Sequence, residues 1–243
     1  MIGTRRRVRS PLLDLVRLPP VRRHGAGSPD IAIGLVSGDN DITALAGVLS
    51  GDALSVSPLC PILPRGCPDA GVTPSELSVT LGELLDGPAN VIAIGACLLE
   101  GGVHERRILA ETLDRAADRG VLIIAAGGPH TDLTTHSWVL PVSSCSPSGR
   151  VSWFVELEDD PRGLLAPGED LPGATGPATG NGVAAALVAG TAALLLSLHP
   201  LAGGHRVRSA LSIGATNPRR SGPPLLDATR AHEHLGLLNF AAG

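Results

Sequence analysis

The chain has 243 residues, a mass of 24.7 kDa and a formal net charge of −4. Hydrophobic residues make up 43% but aromatics only 2%, with no Tyr, so a core of Leu, Val, Ile and Ala must close around 31 Gly and 21 Pro. A chain of this length buries roughly 70% of its unfolded surface without staples, and its composition excludes a disordered chain, a disulfide miniprotein, a coiled coil and a membrane channel.

All 19 basic residues are Arg. Seven of them fall in residues 1–30 against only Asp14 and Asp30, and the remainder carries a net −9. Residues 1–30 are therefore expected as a basic, disordered arm, and 31–243 as one domain. Arg6-Arg7 hints at a twin-arginine signal, but Asp14 and Arg17 break the apolar stretch behind it, so a cytoplasmic location is expected. Neither a nucleic-acid nor a membrane partner is expected.

The first strand expected is Ile31–Val36, short and continuously apolar, ending at Ser37-Gly38-Asp39. A short helix follows at Ile42–Leu49, then a strand at Leu54–Leu63. Thr73-Pro74-Ser75-Glu76 is a capping-box helix start, with Pro in the first turn, for a helix to about Leu85. Asn90–Ala96 and Val121–Ala126 are further buried strands. Between them Val103–Arg119 is an amphipathic helix, with Leu109, Leu113 and Ala116 on one face and Gly120 as its stop. Shorter strands are expected at Trp138–Val142, Arg150–Val155 and Leu164–Ala166. A Gly-rich loop over 167–182 leads into a long apolar helix, Val183–Leu198, and two helices follow near His205–Ile213 and Asp227–Leu235. Continuous rather than alternating apolar strands, separated by helices, predict an α/β fold with a central parallel sheet covered on both faces. Ligands in such sheets bind beyond the carboxyl ends of the strands, here Ser37–Asp41, Gly95–Leu99 and Gly127–His130.

Other constellations point to ordinary structure. Cys60 and Cys67 are close enough for a loop bridge, but no C-x-x-C pair exists and reduced thiols are the default. Cys145 has no basic neighbour in sequence and reads as a packed thiol. His232-Glu233-His234 reads as a solvated helix end, and His130-Thr131-Asp132 with His136 as loop polarity. The loop before Gly182 lacks the Lys of a phosphate loop. No metal or cofactor is expected. Trp138 and Trp153 are expected to fill the layer between sheet and helices.

The segment Gly180-Asn181-Gly182-Val183-Ala184-Ala185-Ala186-Leu187-Val188-Ala189-Gly190-Thr191-Ala192-Ala193-Leu194 through Pro200 resembles the nucleophile helix of subtilisin-like serine proteases, G-T-S-M-A-x-P-H-V-A-G-x-A-A-L. Leu165-Ala166-Pro167-Gly168 matches that family's A-P-G turn. Gly120–Gly128 is similar to its G-x-x-x-x-A-A-G-N strand, and Ile33–Gly38 to the strand carrying its aspartate. Leu225–Ala231 is similar to its closing segment. Pro58-Leu59-Cys60 resembles the A-P-x-C stretch of cyanobactin-maturing subtilases. The resemblance spans about residues 30–234 and implies a three-layer subtilisin-like fold.

It also implies a degenerate catalytic set. Hydrolysis in this family needs a Ser nucleophile, a His base, an Asp orienter and an Asn at the oxyanion. Gly182 stands at the Ser position, Ser37 at the Asp position and Gly128 at the Asn position. The His should come from about Asp41–Ala46, which holds none. The expected function is a catalytically inactive pseudoprotease that binds a peptide or protein partner, with an active processing enzyme as one such partner. Its expected binding residues are Ser37, Asp39, Gly95, Gly127, Gly128, His130, Asn181 and Gly182. The resemblance to maturation subtilases suggests a peptide-maturation setting, and the Arg, Ala, Gly and Pro bias a high-GC bacterial source. Two alternatives stand beside it. One is an active serine peptidase with rearranged residues, drawing on Asp39, Asp41, His130, His136 or the Asn181 amide. The other is a structural subunit of a larger complex.

Overall fold

The computed structural model describes residues 10–51, 54–128, 131–156, 162–173, 176–216 and 222–240. The chain opens with two short helices, α1 (Pro11–Leu15) and α2 (Leu18–Val21). The central domain then runs β1 (Ala32–Gly38), α3 (Ile42–Ser50), β2 (Ile62–Cys67), α4 (Pro74–Asp86), β3 (Ala89–Ile94), α5 (Val103–Asp118) and β4 (Leu122–Ala126). It continues through α6 (Asp132–Thr135), β5 (Leu140–Cys145) and β6 (Leu164–Pro167) to a small hairpin, β7 (Leu171–Gly173) and β8 (Gly176–Ala178). Three helices follow: α7 (Asn181–Leu198), α8 (Gly203–Gly214) and α9 (Ala228–Phe240).

Six strands form one sheet in the order β2-β1-β3-β4-β5-β6, every neighbouring pair parallel. Successive strand residues face opposite sides. Gly34 faces α4, where an added Cβ would meet Leu84 at 2.9 Å, whereas the Ser37 hydroxyl lies on the α7 side. Helices thus cover both faces, giving the expected three layers. Thr73 caps α4 as expected, accepting from the Glu76 N–H while Glu76 accepts from the Thr73 N–H.

α7 is the axis of the core. Val183 through Leu196 are all buried, and the helix packs across β3, β4, β5 and β6. It is long and apolar enough to cross a membrane, yet 78% of it is buried inside the protein. Gly190 lets α3 and the segment after it approach, since an added Cβ would lie 2.8 Å from Val56 Cγ1 and 2.9 Å from Leu49 Cδ2.

Three expected strands are corrected. Leu54–Leu63 is not a strand: Leu54, Val56 and Cys60 are buried in irregular chain, and β2 begins only at Ile62. β2 is an edge strand, where Pro64 is tolerated because one side needs no ladder bond. The strand expected at Trp138–Val142 is shifted to Leu140–Cys145. Arg150–Val155 makes only a single bridge between Val151 and Cys145. Trp153 is also corrected. It is 89% exposed and meets Phe154 edge-on, whereas Trp138 is buried with its indole N–H donating to the Val121 carbonyl.

Residues 10–24 are packed helices where a solvated arm was expected; residues 1–9 lie outside the described residues. Leu12, Leu13, Val16, Leu18 and Val21 join the main core. The Arg17 guanidinium pairs with the nearly buried Asp227 carboxylate at 2.9 Å, and Arg22 donates to the Leu54 carbonyl. The main chain is joined as well, by Ala228 N–H to the Val16 carbonyl and the Thr229 hydroxyl to the Arg17 carbonyl.

His232 is not a solvated helix end. It stacks on His24 and lies 2.8 Å (Nδ1) from Nε2 of His199, because α9 packs against α8 and α2 and so brings His232 beside the residue that ends α7. Burial, and then the neighbouring His232 charge, pull the His199 pKa below its ordinary 6.5. Burial, and then His24, do the same to His232 against a weaker opposing pull from Glu233. The folded state therefore resists protonation of both rings. Their stabilisation is whole above pH 6.5 and is lost as pH falls through the depressed folded-state values. Urea melts between pH 7.5 and 5 are expected to show falling stability, and His232→Gln is expected to flatten that slope.

Candidate functional site

The carboxyl ends of β1, β3 and β4 and the start of α7 surround one cleft of about 690 Å³. Ser37, Gly95, Gly127, Gly128, Asn181 and Gly182 all line it, and Asp41 stands at its rim. The fold thus brings together seven positions that the sequence singled out. Asp39 does not join them: its carboxylate lies against Gly66 of β2, and its N–H donates to the Cys67 carbonyl. His130 lies outside the described residues.

The start of α7 is held by its neighbours. Asn181 Oδ1 accepts from the Ser144 N–H at 2.8 Å, and its Nδ2 donates to the Gly127 carbonyl at 2.6 Å. The amide thereby ties the helix to the ends of β4 and β5, with one of its two N–H donors taken up by the Gly127 carbonyl. The A-P-G turn explains itself here. Gly168 donates to the Cys145 carbonyl and accepts from the Gly180 N–H, and a Cβ on it would collide with Ser144 Oγ.

Gly182 sits against Gly95. A Cβ on Gly182 would lie 3.3 Å from Gly95 Cα and 3.7 Å from Leu45 Cδ1. A Cβ on Gly95 would lie 3.0 Å from both Leu45 Cδ1 and Ser37 Oγ. Leu45 comes from α3, the stretch where the family resemblance places a His, and is 2% exposed. A methyl group therefore stands beside Gly182. Ser37 Oγ is buried and has no hydrogen-bond partner among the described residues. At Gly128 the opposite holds, since among the described residues an added Cβ would meet nothing within 4 Å.

His136 lies 3.3 Å from Asp114, and Asp132 4.0 Å from Arg106. Among the described residues no cluster of three His, Cys, Asp or Glu is arranged to hold a metal. All four cysteines are free thiols, so the Cys60–Cys67 bridge does not form. Burial, and then Glu169, push the Cys145 thiol up to about 12. Cys97, on the cleft wall, is exposed. In the native protein iodoacetamide at pH 8 is expected to modify Cys97 first and leave Cys145 unmodified, as peptide mass mapping would show.

Cys97 lies in the expected strand end Gly95–Leu99, whereas sequence reasoning did not place Leu45, Thr131 or Thr134 in the lining and took Thr131 for loop polarity. Thr131 and Thr134 had a signal, a T-x-x-T box that caps α6.

No family model matches the sequence, and no curated protein matches it. Solved structures do. The prenylagaramide maturation protease PagA superposes with a TM-score of 0.75 over 90% of this chain and 98% of its own, at 23% identity. The PatG macrocyclase in complex with peptide gives 0.72 over 91% and 96%, at 18% identity. MycP1 with its N-terminal propeptide removed gives 0.75 over 93% and 97%, at 18% identity. This is the subtilisin-like fold. The parallel sheet expected from the continuous apolar strands and the buried helix expected from its Ala- and Leu-rich run are the shared architecture. In the subtilisin-like frame the cleft lies at the strand ends where Ser37, Gly128 and Gly182 stand.

Proposed function

We propose that this protein uses its subtilisin-like cleft to hold an extended peptide without cleaving it. One observation carries the reading: Gly182, Leu45 and Ser37 meet where the family resemblance places nucleophile, base and acid. Glycine has no hydroxyl to attack a carbonyl, a leucine methyl takes no proton, and a serine does not stabilise an imidazolium as a carboxylate does. Losing proton transfer leaves the groove walls intact, and backbone hydrogen bonds to an extended peptide need no nucleophile. A neighbour in fold, PatG, is recorded with a peptide bound. The natural setting proposed is bacterial peptide maturation in the cytoplasm, with the chain presenting a precursor to an active processing enzyme.

A fluorophosphonate probe and a fluorescein-labelled extended peptide test this together. The expected result is no covalent labelling and saturable peptide binding. Gly182→Ser is expected to stay inactive, because base, orienter and oxyanion donor are still missing. Stoichiometric labelling mapped to a Ser or Thr of the cleft would overturn the reading in favour of a rearranged peptidase.

A further inference from the structure

The cleft does not end at the strand tips. It continues at one end into a depression lined by Asp41, Pro68 and Asp69, and at the other into one lined by Glu100, Thr131 and Asp132. Shared walls make the three one groove: Asp41 and Cys97 border the first junction, Leu98 and Thr131 the second. Chemistry differs along it. The middle floor is Gly95, Ala96, Ala126, Gly127, Gly128 and Gly182, so a ligand backbone can approach closely and only small side chains are accommodated beneath it. Both ends carry carboxylates. Arg106 is the one cation lining either end among the described residues, and it lies 4.0 Å from Asp132. No cation pairs with Asp41, Asp69 or Glu100 among the described residues; Asp69 instead accepts from the Asn40 side chain. Ser37 is 1% exposed and its Oγ, without a partner among the described residues, lines the middle of the same groove. A buried hydroxyl left unsatisfied in this way marks a place where a ligand's amide or a water it brings completes the hydrogen bonding.

We infer that the peptide held here is basic: an extended segment with small residues at its centre and Arg or Lys on both flanks. This rests on the peptide-holding reading above and adds the class of ligand. Flanking cations meet Asp41 and Asp69 at one end and Glu100 and Asp132 at the other, while the small centre passes over Gly95, Gly128 and Gly182. Acidic flanks meet like charge at both ends, which makes charge the basis of discrimination.

The test uses the full chain and three fluorescein-labelled peptides sharing an Ala/Gly centre, flanked by Arg, Gln or Glu. Fluorescence anisotropy reads Kd at low and high salt. The Arg-flanked peptide is expected to bind roughly five- to tenfold tighter than the Gln-flanked one, and the Glu-flanked peptide more weakly than either. Salt is expected to shrink the spread, because these exposed charges are screened. Asp41→Asn with Glu100→Gln, which leaves one carboxylate at each end, is expected to cut the preference for the Arg-flanked over the Gln-flanked peptide to about half its logarithm. Gly128→Phe, placed where a side chain has open space, is expected to block all three peptides. Equal binding of the three overturns the basic-ligand inference and leaves peptide holding in place. An Arg preference that survives Gly128→Phe overturns it too, because the peptide then binds elsewhere. Binding of none overturns both readings.

Discussion

A chain beginning at Ile31 is expected to lose its cooperative thermal transition. Residues 10–24 place Leu12, Leu13, Val16, Leu18 and Val21 in the core, each at most 8% exposed. Burying an aliphatic side chain is worth about 1.5–3 kcal/mol. The sum, even reduced for a compact unfolded state and for ordering the segment, is of the same order as the whole stability of a typical domain, about 5–15 kcal/mol. Deletion also strips the Arg17 partner from Asp227, whose side chain is 5% exposed. A milder variant isolates that contact: Arg17→Ala is expected to cost about 1–3 kcal/mol, because a buried carboxylate loses its charged donor. Circular-dichroism melts of both variants measure the effects. An unchanged melting temperature for the truncated chain would show that the segment is an arm after all.

Leu187→Ala is expected to destabilise the protein by about 2–5 kcal/mol, as large-to-small changes in close-packed cores do. Leu187 is fully buried on α7, the helix that packs against five strands of the sheet and whose first turn carries Gly182. The site cannot collapse easily, because Ala184, Ala185, Ala186, Val188 and Ala189 around it are also fully or nearly fully buried. In the family motif the positions of Ala186 and Leu187 hold Pro and His, so their replacement by aliphatics puts this stretch to use as core. Urea denaturation is the measurement, and a loss below about 1 kcal/mol would mean that α7 is not the packing axis described here.

Where sequence reading succeeded, neighbouring residues carried the whole signal. The continuous runs at Ile31–Val36, Asn90–Ala96 and Val121–Ala126 appear as β1, β3 and β4 within one or two residues. The capping box at Thr73 and Glu76 forms as spelled. Where it failed, an apolar run was ambiguous. Leu54, Val56 and Cys60 look like strand residues, but they are buried as irregular chain, with Val56 fitted against Gly190 of α7. Conversely Pro64 and Gly66 disguise β2, since neither favours a strand, and an edge position tolerates both. The N-terminal segment misled through averaging. Its Arg excess dominates the composition, while the apolar residues at 12, 13, 16, 18 and 21 are few enough to disappear in it.

The site divides in the same way. The absence of a side chain at Gly182 and Gly128, and the Ser at 37, are covalent facts, and the helix motif together with the A-P-G turn was enough to assign the fold, because close packing of α7 against the sheet demands small and aliphatic residues at fixed spacing. What occupies the space beside Gly182 was not legible. It depends on Leu45, Gly95 and Gly182 meeting from three separate elements, and on Asp39 turning toward Gly66 while Asp41 stays at the rim. The docking of residues 10–24 is of the same kind, resting on Arg17 meeting Asp227 and on His24 meeting His232. Such contacts join residues 27 to 210 positions apart, and local periodicity carries no information about which distant side chain will fill a given space.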